Sequence, residues 1–190
     1  NRNMQNHSSE RVARVKRPLT ILYTGNGKGK TTAALGLLFR ALGHDATCAV
    51  MQFIKSERLQ TGERKMAERL GVKWENHGTG FLWDETDLQE AREACVNGWE
   101  QAKQWILSGT YDMIVLDEFT YVLAKGFVPM EDFLAFLVRL EAEKGRPHVV
   151  ITGRDAPQRL IDRCDMVHEL VEIKHPWRTS SVPAQIMIEY

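Results

Sequence analysis

The sequence predicts an α/β domain whose mostly parallel sheet carries helices on both faces, and three observations lead there. Short apolar runs alternate along the chain with longer segments whose apolar residues fall at helical spacing. The run Met113–Leu116 is apolar at every position, the mark of a strand buried on both faces. The first run, Leu19–Thr24, leads straight into a glycine-rich segment and then into a helix.

The elements follow in order. Residues 1–18 form a basic tail, with Arg2, Arg11, Arg14, Lys16 and Arg17 against the one acid Glu10. Val12 and Val15 share a face, so a short helix from Glu10 is expected, ending before Pro18. Residues 19–190 form one domain. Lys30–Gly43 reads as a helix through Ala34, Leu35, Leu38, Ala41 and Leu42, with Gly43 as its stop. Ala46–Phe53 is a strand, Gly62–Leu70 a short helix and Val72–His77 a strand. Residues 78–86 form a loop before a helix over Asp87–Leu107, on which Trp99 and Trp105 are packing residues. Met130–Glu143 is a helix with Phe133, Leu134, Phe136, Leu137 and Leu140 along one side. His148–Thr152 is a buried strand, Pro157–Arg163 a helix and Met166–Ile173 a strand. Gln185–Tyr190 alternates and is expected to close the sheet at one edge.

Composition excludes several classes of function. Of the 190 residues 43% are apolar and 26% charged, the balance of a soluble globular protein. A net charge of zero provides no global field toward nucleic acid or an anionic membrane, so neither is an expected partner. No apolar run reaches the length of a membrane span, and the first residues lack the apolar core of a signal peptide. Cys48, Cys95 and Cys164 lie far apart without metal spacing, which suits free thiols in a reducing cytoplasm.

The chemistry starts at Thr24-Gly25-Asn26-Gly27-Lys28-Gly29-Lys30-Thr31-Thr32, a P-loop between strand and helix. Its glycines let successive backbone N–H groups turn toward phosphate oxygens, and the helix that follows presents its positive end. Lys30 reaches along a triphosphate, and the Thr31 hydroxyl is placed to ligate Mg²⁺. The usual pattern has glycine where this chain has Thr24, so the loop is a variant. A second apolar strand ends in Asp117-Glu118, delivering two carboxylates to the carboxyl edge of the sheet to hold the metal directly or through water. A third ends in Thr152-Gly153-Arg154, where Arg154 either contacts phosphate or pairs at the surface with Asp155 or another neighbour. In His77-Gly78-Thr79-Gly80-Phe81-Leu82-Trp83, Phe81 and Trp83 either plug the local core or offer a flat apolar face to a large planar ligand.

The segments Thr24–Thr32, Val50-Met51-Gln52-Phe53-Ile54-Lys55, Gly80-Phe81-Leu82-Trp83, Val115-Leu116-Asp117-Glu118-Phe119-Thr120-Tyr121 and Ile151-Thr152-Gly153-Arg154 together resemble the P-loop type of ATP:cob(I)alamin adenosyltransferase. The resemblance runs in order from Leu19 to Tyr190. It implies a three-layer RecA-like P-loop fold and transfer of the 5′-deoxyadenosyl group of ATP to the cobalt(I) of a reduced corrinoid, cobalamin or a precursor such as cob(I)yrinic acid a,c-diamide. Inorganic triphosphate is the implied product. ATP is implied to lie reversed, its γ-phosphate where other P-loops hold the α. By the same likeness Gly27 to Thr32 bind the triphosphate, and Thr31 with Glu118 holds Mg²⁺. Phe81 and Trp83 lie under the corrin and displace its lower axial ligand, and residues 10–17 cover the corrinoid site. A homodimer is implied as well, with a reducing partner such as a flavoprotein to furnish cobalt(I).

Two other readings share the P-loop. A small-molecule kinase leaves the aromatic loop without a purpose and needs an acid to activate its acceptor. A RecA-like ATPase or ATP-switched binding module predicts a basic groove, which zero net charge does not favour. Products separate them: triphosphate from adenosyl transfer, ADP from the others.

Overall fold

The computed structural model describes residues 17–55, 61–80 and 85–188. The expected helix over residues 10–17 lies outside this range except for Arg17, and so do Phe81 and Trp83. Six strands, β1 (Thr20–Thr24), β2 (Cys48–Phe53), β3 (Lys73–His77), β4 (Met113–Asp117), β5 (His148–Thr152) and β6 (Met166–Glu169), form one sheet in the order β3-β2-β4-β5-β1-β6. Every pairing is parallel, so all six carboxyl ends share one edge.

Period-two alternation assigns each strand to both faces. Ile21, Tyr23, Cys48, Val50, Met113 and Val115 point to one face, against α1 (Lys30–Leu42) and α2 (Gly62–Arg69). Leu22, Ala49, Met51, Ile114, Leu116 and Ile151 point to the other. That face is covered by α3 (Glu85–Leu107), α4 (Phe119–Ala124), α5 (Met130–Glu141) and α6 (Gln158–Arg163). This is the three-layer α/β arrangement the alternation of elements predicts.

The second layer closes on an aromatic cluster. Trp99 of α3 lies 5.2 Å from the rings of both Phe119 and Phe133, and Phe119 lies 4.9 Å from Phe53. Trp99 and Trp105 are both buried, in the packing role expected of them. The cluster sits directly behind residue 118, so its packing fixes the backbone that carries the paired acids.

Four elements differ from expectation. Helix α4 was not legible: six residues rich in aromatic and β-branched types show no period, and burial of Phe119, Val122 and Leu123 forms the helix instead. Strand β6 stops at Glu169, after which the chain runs against the phosphate loop. Residues 176–180 form a short helix, α7 (Pro176–Ser180), started by Pro176 with the His175 Nδ1 accepting the Trp177 N–H. Residues 185–188 are irregular and end in a turn, so the expected strand Gln185–Tyr190 is not formed there. Alternation reports side-chain faces only, and Ile186, Met187 and Ile188 remain exposed without a neighbouring strand.

At the amino end, Arg17 pairs with Asp165 at 2.6 Å and Arg146 donates to the Pro18 carbonyl at 2.7 Å. The last residues of the basic tail therefore belong to the folded body. Phe133→Ala removes the ring between Trp99 and Phe119 and should cost about 3–5 kcal/mol of stability, read from urea unfolding. A loss under about 1 kcal/mol would show that the cluster does not lock this layer.

Candidate nucleotide site

The site grows from the carboxyl edge, where β1, β4 and β5 end in Thr24, Asp117 and Thr152 and β2 carries Gln52 one residue before its end. Each is a polar residue at or near the end of an otherwise apolar buried strand, and each is buried. Such residues must find partners. Asp117, with no exposed surface, accepts from three: the Thr31 hydroxyl at 2.8 Å, the Thr152 hydroxyl at 2.7 Å and the Gln52 amide at 2.7 Å. Thr152 Oγ1 in turn accepts the Glu118 N–H at 3.0 Å. The carboxylate thus ties α1, β2 and β5 to β4 at one point.

Glu118 follows in the left-handed region at φ 62, a conformation unusual for a side chain of this size. Burial and the neighbouring Asp117 charge push its carboxyl above the ordinary range, while Lys55, Lys30 and Arg154 pull the other way.

On the loop, Lys30 is buried and its Nζ donates to the carbonyls of Gly25 at 2.8 Å and Gly27 at 2.7 Å. Burial lowers its pKa, opposed by Glu118. Helix α1 has Gly29 at its N-cap, no side-chain cap bond and no acid in its first turn. By contrast α2 is capped by Thr61 and carries Glu63, and α5 carries Glu131 and Asp132. The amino end of α1 is suited to an external anion.

The loop is braced from behind. Gly27 N–H donates to the Leu170 carbonyl at 2.7 Å, and Leu170 N–H donates to the Thr24 carbonyl at 2.8 Å. A Cβ at Gly25 or Gly27 would meet the Leu170 carbonyl oxygen at 2.4 or 2.7 Å, so glycine is required by close approach. Gly27's own N–H is committed to this brace rather than turned toward a ligand. Thr24, standing where the usual loop has glycine, uses its Oγ1 to accept the Ala156 N–H at 3.2 Å. Its role is to hold the turn after β5.

Arg154 is exposed beside this edge and, with Asn26, Glu169, Val171, Glu172 and Arg178, lines a cavity of about 360 Å³. Its backbone carbonyl accepts the Thr120 hydroxyl at 2.7 Å. Lys28 and Thr32 are exposed on the loop and the first turn of α1. The structure thus brings Thr24 to Thr32, Asp117, Glu118 and Arg154 together. Gln52, Thr152 and Leu170 were missed as site residues. A polar residue ending an apolar strand could have revealed the first two, whereas nothing in the sequence pattern marks Leu170.

Fold and site define a P-loop nucleotide-binding protein of the three-layer α/β kind. Residues 16–190 match the family of ATP:corrinoid adenosyltransferases BtuR/CobO/CobP. The corrinoid adenosyltransferase CobA of Salmonella typhimurium is 39% identical over 178 residues, covering 94% of this chain and 88% of that protein. The corrinoid adenosyltransferase of Escherichia coli K12 is also 39% identical, over 181 residues with the same coverage. That of Pseudomonas aeruginosa is 33% identical over 180 residues, 94% of this chain and 86% of its own. The chain belongs to this family. The fold alone is also shared with the flagellar accessory protein FlaH of Methanocaldococcus jannaschii, at a TM-score of 0.55 and 13% identity over 85% of this chain and 75% of that one.

Thr152→Val keeps the shape but removes a donor to Asp117 and the acceptor for Glu118 N–H. The expected cost is about 1–3 kcal/mol for each group left unpaired, measured by urea unfolding. Glu118 yields a prediction with a definite sign for the nucleotide-free protein. Because its folded value lies above the ordinary 4.5, folding takes up a proton between the two values. Stability from this group is present below that window and lost as pH rises through it. Glu118→Gln should therefore match wild type in acid and exceed it at neutral pH, in unfolding curves recorded across the range. Equal curves at every pH would mean that Glu118 is not under this burden.

Proposed function

We propose that this protein transfers the 5′-deoxyadenosyl group of ATP to the cobalt(I) of a reduced corrinoid, releasing inorganic triphosphate. The observation that carries the reading is the Thr31–Asp117 hydrogen bond, which joins the phosphate loop to the acid pair in a chain of this family. Cobalt(I) is itself the nucleophile. Its electron pair forms the cobalt–carbon bond at C5′ while the C5′–oxygen bond breaks and its pair leaves on the triphosphate. No general base is needed, so the protein's task is orientation and charge neutralisation.

The residues suit that task. Lys30 exchanges its bonds to Gly25 and Gly27 for phosphate oxygens, and Lys28 and Arg154 extend the positive lining. The backbone of residues 28–32 and the amino end of α1 supply further donors, with Asn26 at the loop's exposed corner. Mg²⁺ fits the donor set. No cluster of three or more His, Cys, Asp or Glu exists among the described residues, so the ion's remaining oxygens come from the nucleotide and water. The Thr31 hydroxyl donates its hydrogen bond to Asp117, which leaves its oxygen lone pairs for the metal, and Glu118 would be the second ligand, directly or through water. Asp117 acts as the orienting acceptor rather than a direct ligand. When bound, Mg²⁺ would neutralise charge on the triphosphate. In this reading ATP lies reversed, and Phe81 and Trp83 displace the lower axial ligand of the corrinoid while excluding water.

The reading includes a homodimer, supported by the exposure of Ile173, Trp177 and Met187. It includes a reducing partner such as a flavoprotein and a cytoplasmic setting, which the free thiols of Cys48, Cys95 and Cys164 suit. No described helix is long and apolar enough to cross a membrane.

The test is anaerobic incubation with ATP, Mg²⁺ and chemically reduced cobalamin. Light-sensitive adenosylcobalamin with inorganic triphosphate is expected, whereas ADP without a cobalt–carbon bond would move the protein to the kinase or ATPase class. Lys30→Ala should lower kcat by about 10²–10³, the scale of one lost charge-stabilising group. Replacing Phe81 and Trp83 together by alanine should abolish transfer while ATP affinity, read by calorimetry, stays within about twofold; undiminished transfer would remove the two aromatics from the mechanism.

A further inference from the structure

Gln52 is tied to the phosphate centre and Lys55 acts on Glu118, but the turn at Ile54 between them has no part in the chemistry above. That turn holds the most improbable backbone on this edge. Ile54 lies at φ 71, in the left-handed region where a β-branched residue is a genuine outlier. Such strain persists only where the surroundings over-determine it.

Here they do. Strands β2 and β3 end side by side, Phe53 in register with His77. Ile54 N–H donates to the His77 carbonyl at 3.1 Å, and the Ile54 carbonyl accepts the Gly80 N–H at 2.9 Å. Gly78 lies against the same peptide: a Cβ there would stand 2.2 Å from both C and O of Ile54. No side chain fits, and the obstacle is backbone. From the other side the Cys95 thiol donates to the His77 carbonyl at 3.7 Å. Gly98, in the middle of α3, makes room for the His77 ring, since a Cβ there would meet the ring's Cγ at 2.7 Å. The turns 53–55 and 78–80 are therefore interlocked, with α3 closing the third side.

The interlock is also tied to the phosphate centre. Two residues before Ile54, Gln52 donates to Asp117, and the intervening Phe53 packs on Phe119, the neighbour of Glu118. Two side-chain hydrogen bonds link Thr31 through Asp117 to Gln52, and three residues of backbone then lead to the Ile54 carbonyl that holds Gly80, the last described residue before Phe81.

We propose that Ile54 and Gly78 are positioning residues for the corrinoid half of the reaction, their interlock fixing where the chain enters segment 81–84 relative to the Asp117 centre. This rests on the adenosyl-transfer reading, in which Phe81 and Trp83 engage the corrinoid. The strained peptide holds the entry to that segment at a fixed distance from the triphosphate, which a reaction joining two large substrates at one bond requires.

The test uses Gly78→Ala in the full chain, with three readouts. ATP affinity by calorimetry should remain within about twofold of wild type. Transfer to cob(I)alamin should fall at least about tenfold in kcat/KM for the corrinoid. With ATP present, bound cob(II)alamin should show a reduced share of the electron paramagnetic resonance signal lacking lower-ligand nitrogen splitting. Corrinoid parameters equal to wild type would overturn the proposal. An equal loss of ATP affinity and corrinoid turnover would overturn it too, by reducing Gly78 to general support. Amide exchange on the wild-type chain decides the matter if the variant does not fold. The Gly80 and Ile54 amides should be protected as strongly as neighbouring strand amides, and exchange at open-loop rates would overturn the interlock. That readout needs no turnover, so it stands apart from any failure of the adenosyl-transfer reading itself.

Discussion

A carboxylate with no access to water has to be solvated by the protein, and Asp117 is solvated by three donors from three elements. Thr31 comes from the first turn of α1, Gln52 from β2 and Thr152 from β5. Remove the carboxylate and three polar side chains lose their partner together; remove one donor and a buried charge is left short. The site's geometry is therefore held by the same bonds that satisfy the interior. Thr31 cannot drift from the acid pair without leaving Asp117 unpaired, which keeps the loop hydroxyl oriented before any nucleotide arrives.

Glu118 shows the other side of this arrangement. Next to a buried charge, half-withdrawn from water and held at positive φ, its carboxyl is destabilised in the nucleotide-free protein. A cation in the site would relieve that burden, so strain and electrostatics are stored where binding can release them. The aromatic cluster of Trp99, Phe119 and Phe133 resists that strain from behind, so core packing and site chemistry are joined at adjacent residues. The phosphate loop is treated alike: Leu170 clamps Gly27 from outside the motif, and Thr24 spends its hydroxyl on the Ala156 turn.

Much of this was legible before the structure. The alternation of runs identified all six strands and five of the helices because period and burial are local properties of the chain. Helix α4 escaped because six aromatic and β-branched residues become helical only by burial against α3 and α5. The run Gln185–Tyr190 misled for the opposite reason: alternation makes a strand possible, but only a neighbouring strand makes it one, and residues 185–188 have none.

The sequence by itself determined that the loop Thr24–Thr32 stands between a strand and a helix and that the acids at 117 and 118 end a buried strand, because residue type and period at fixed local spacing are properties of the chain. It determined the family as well, through short segments whose order is kept along the chain. Only the tertiary structure decided that Asp117 accepts from the Thr31 hydroxyl, that Gly27 turns its N–H to Leu170 and that Ile54 is locked against Gly78. Those partners lie 86, 143 and 24 positions away, as the residue numbers show. Which strands stand side by side is set by how the whole sheet is wound, and no local pattern of residues encodes it.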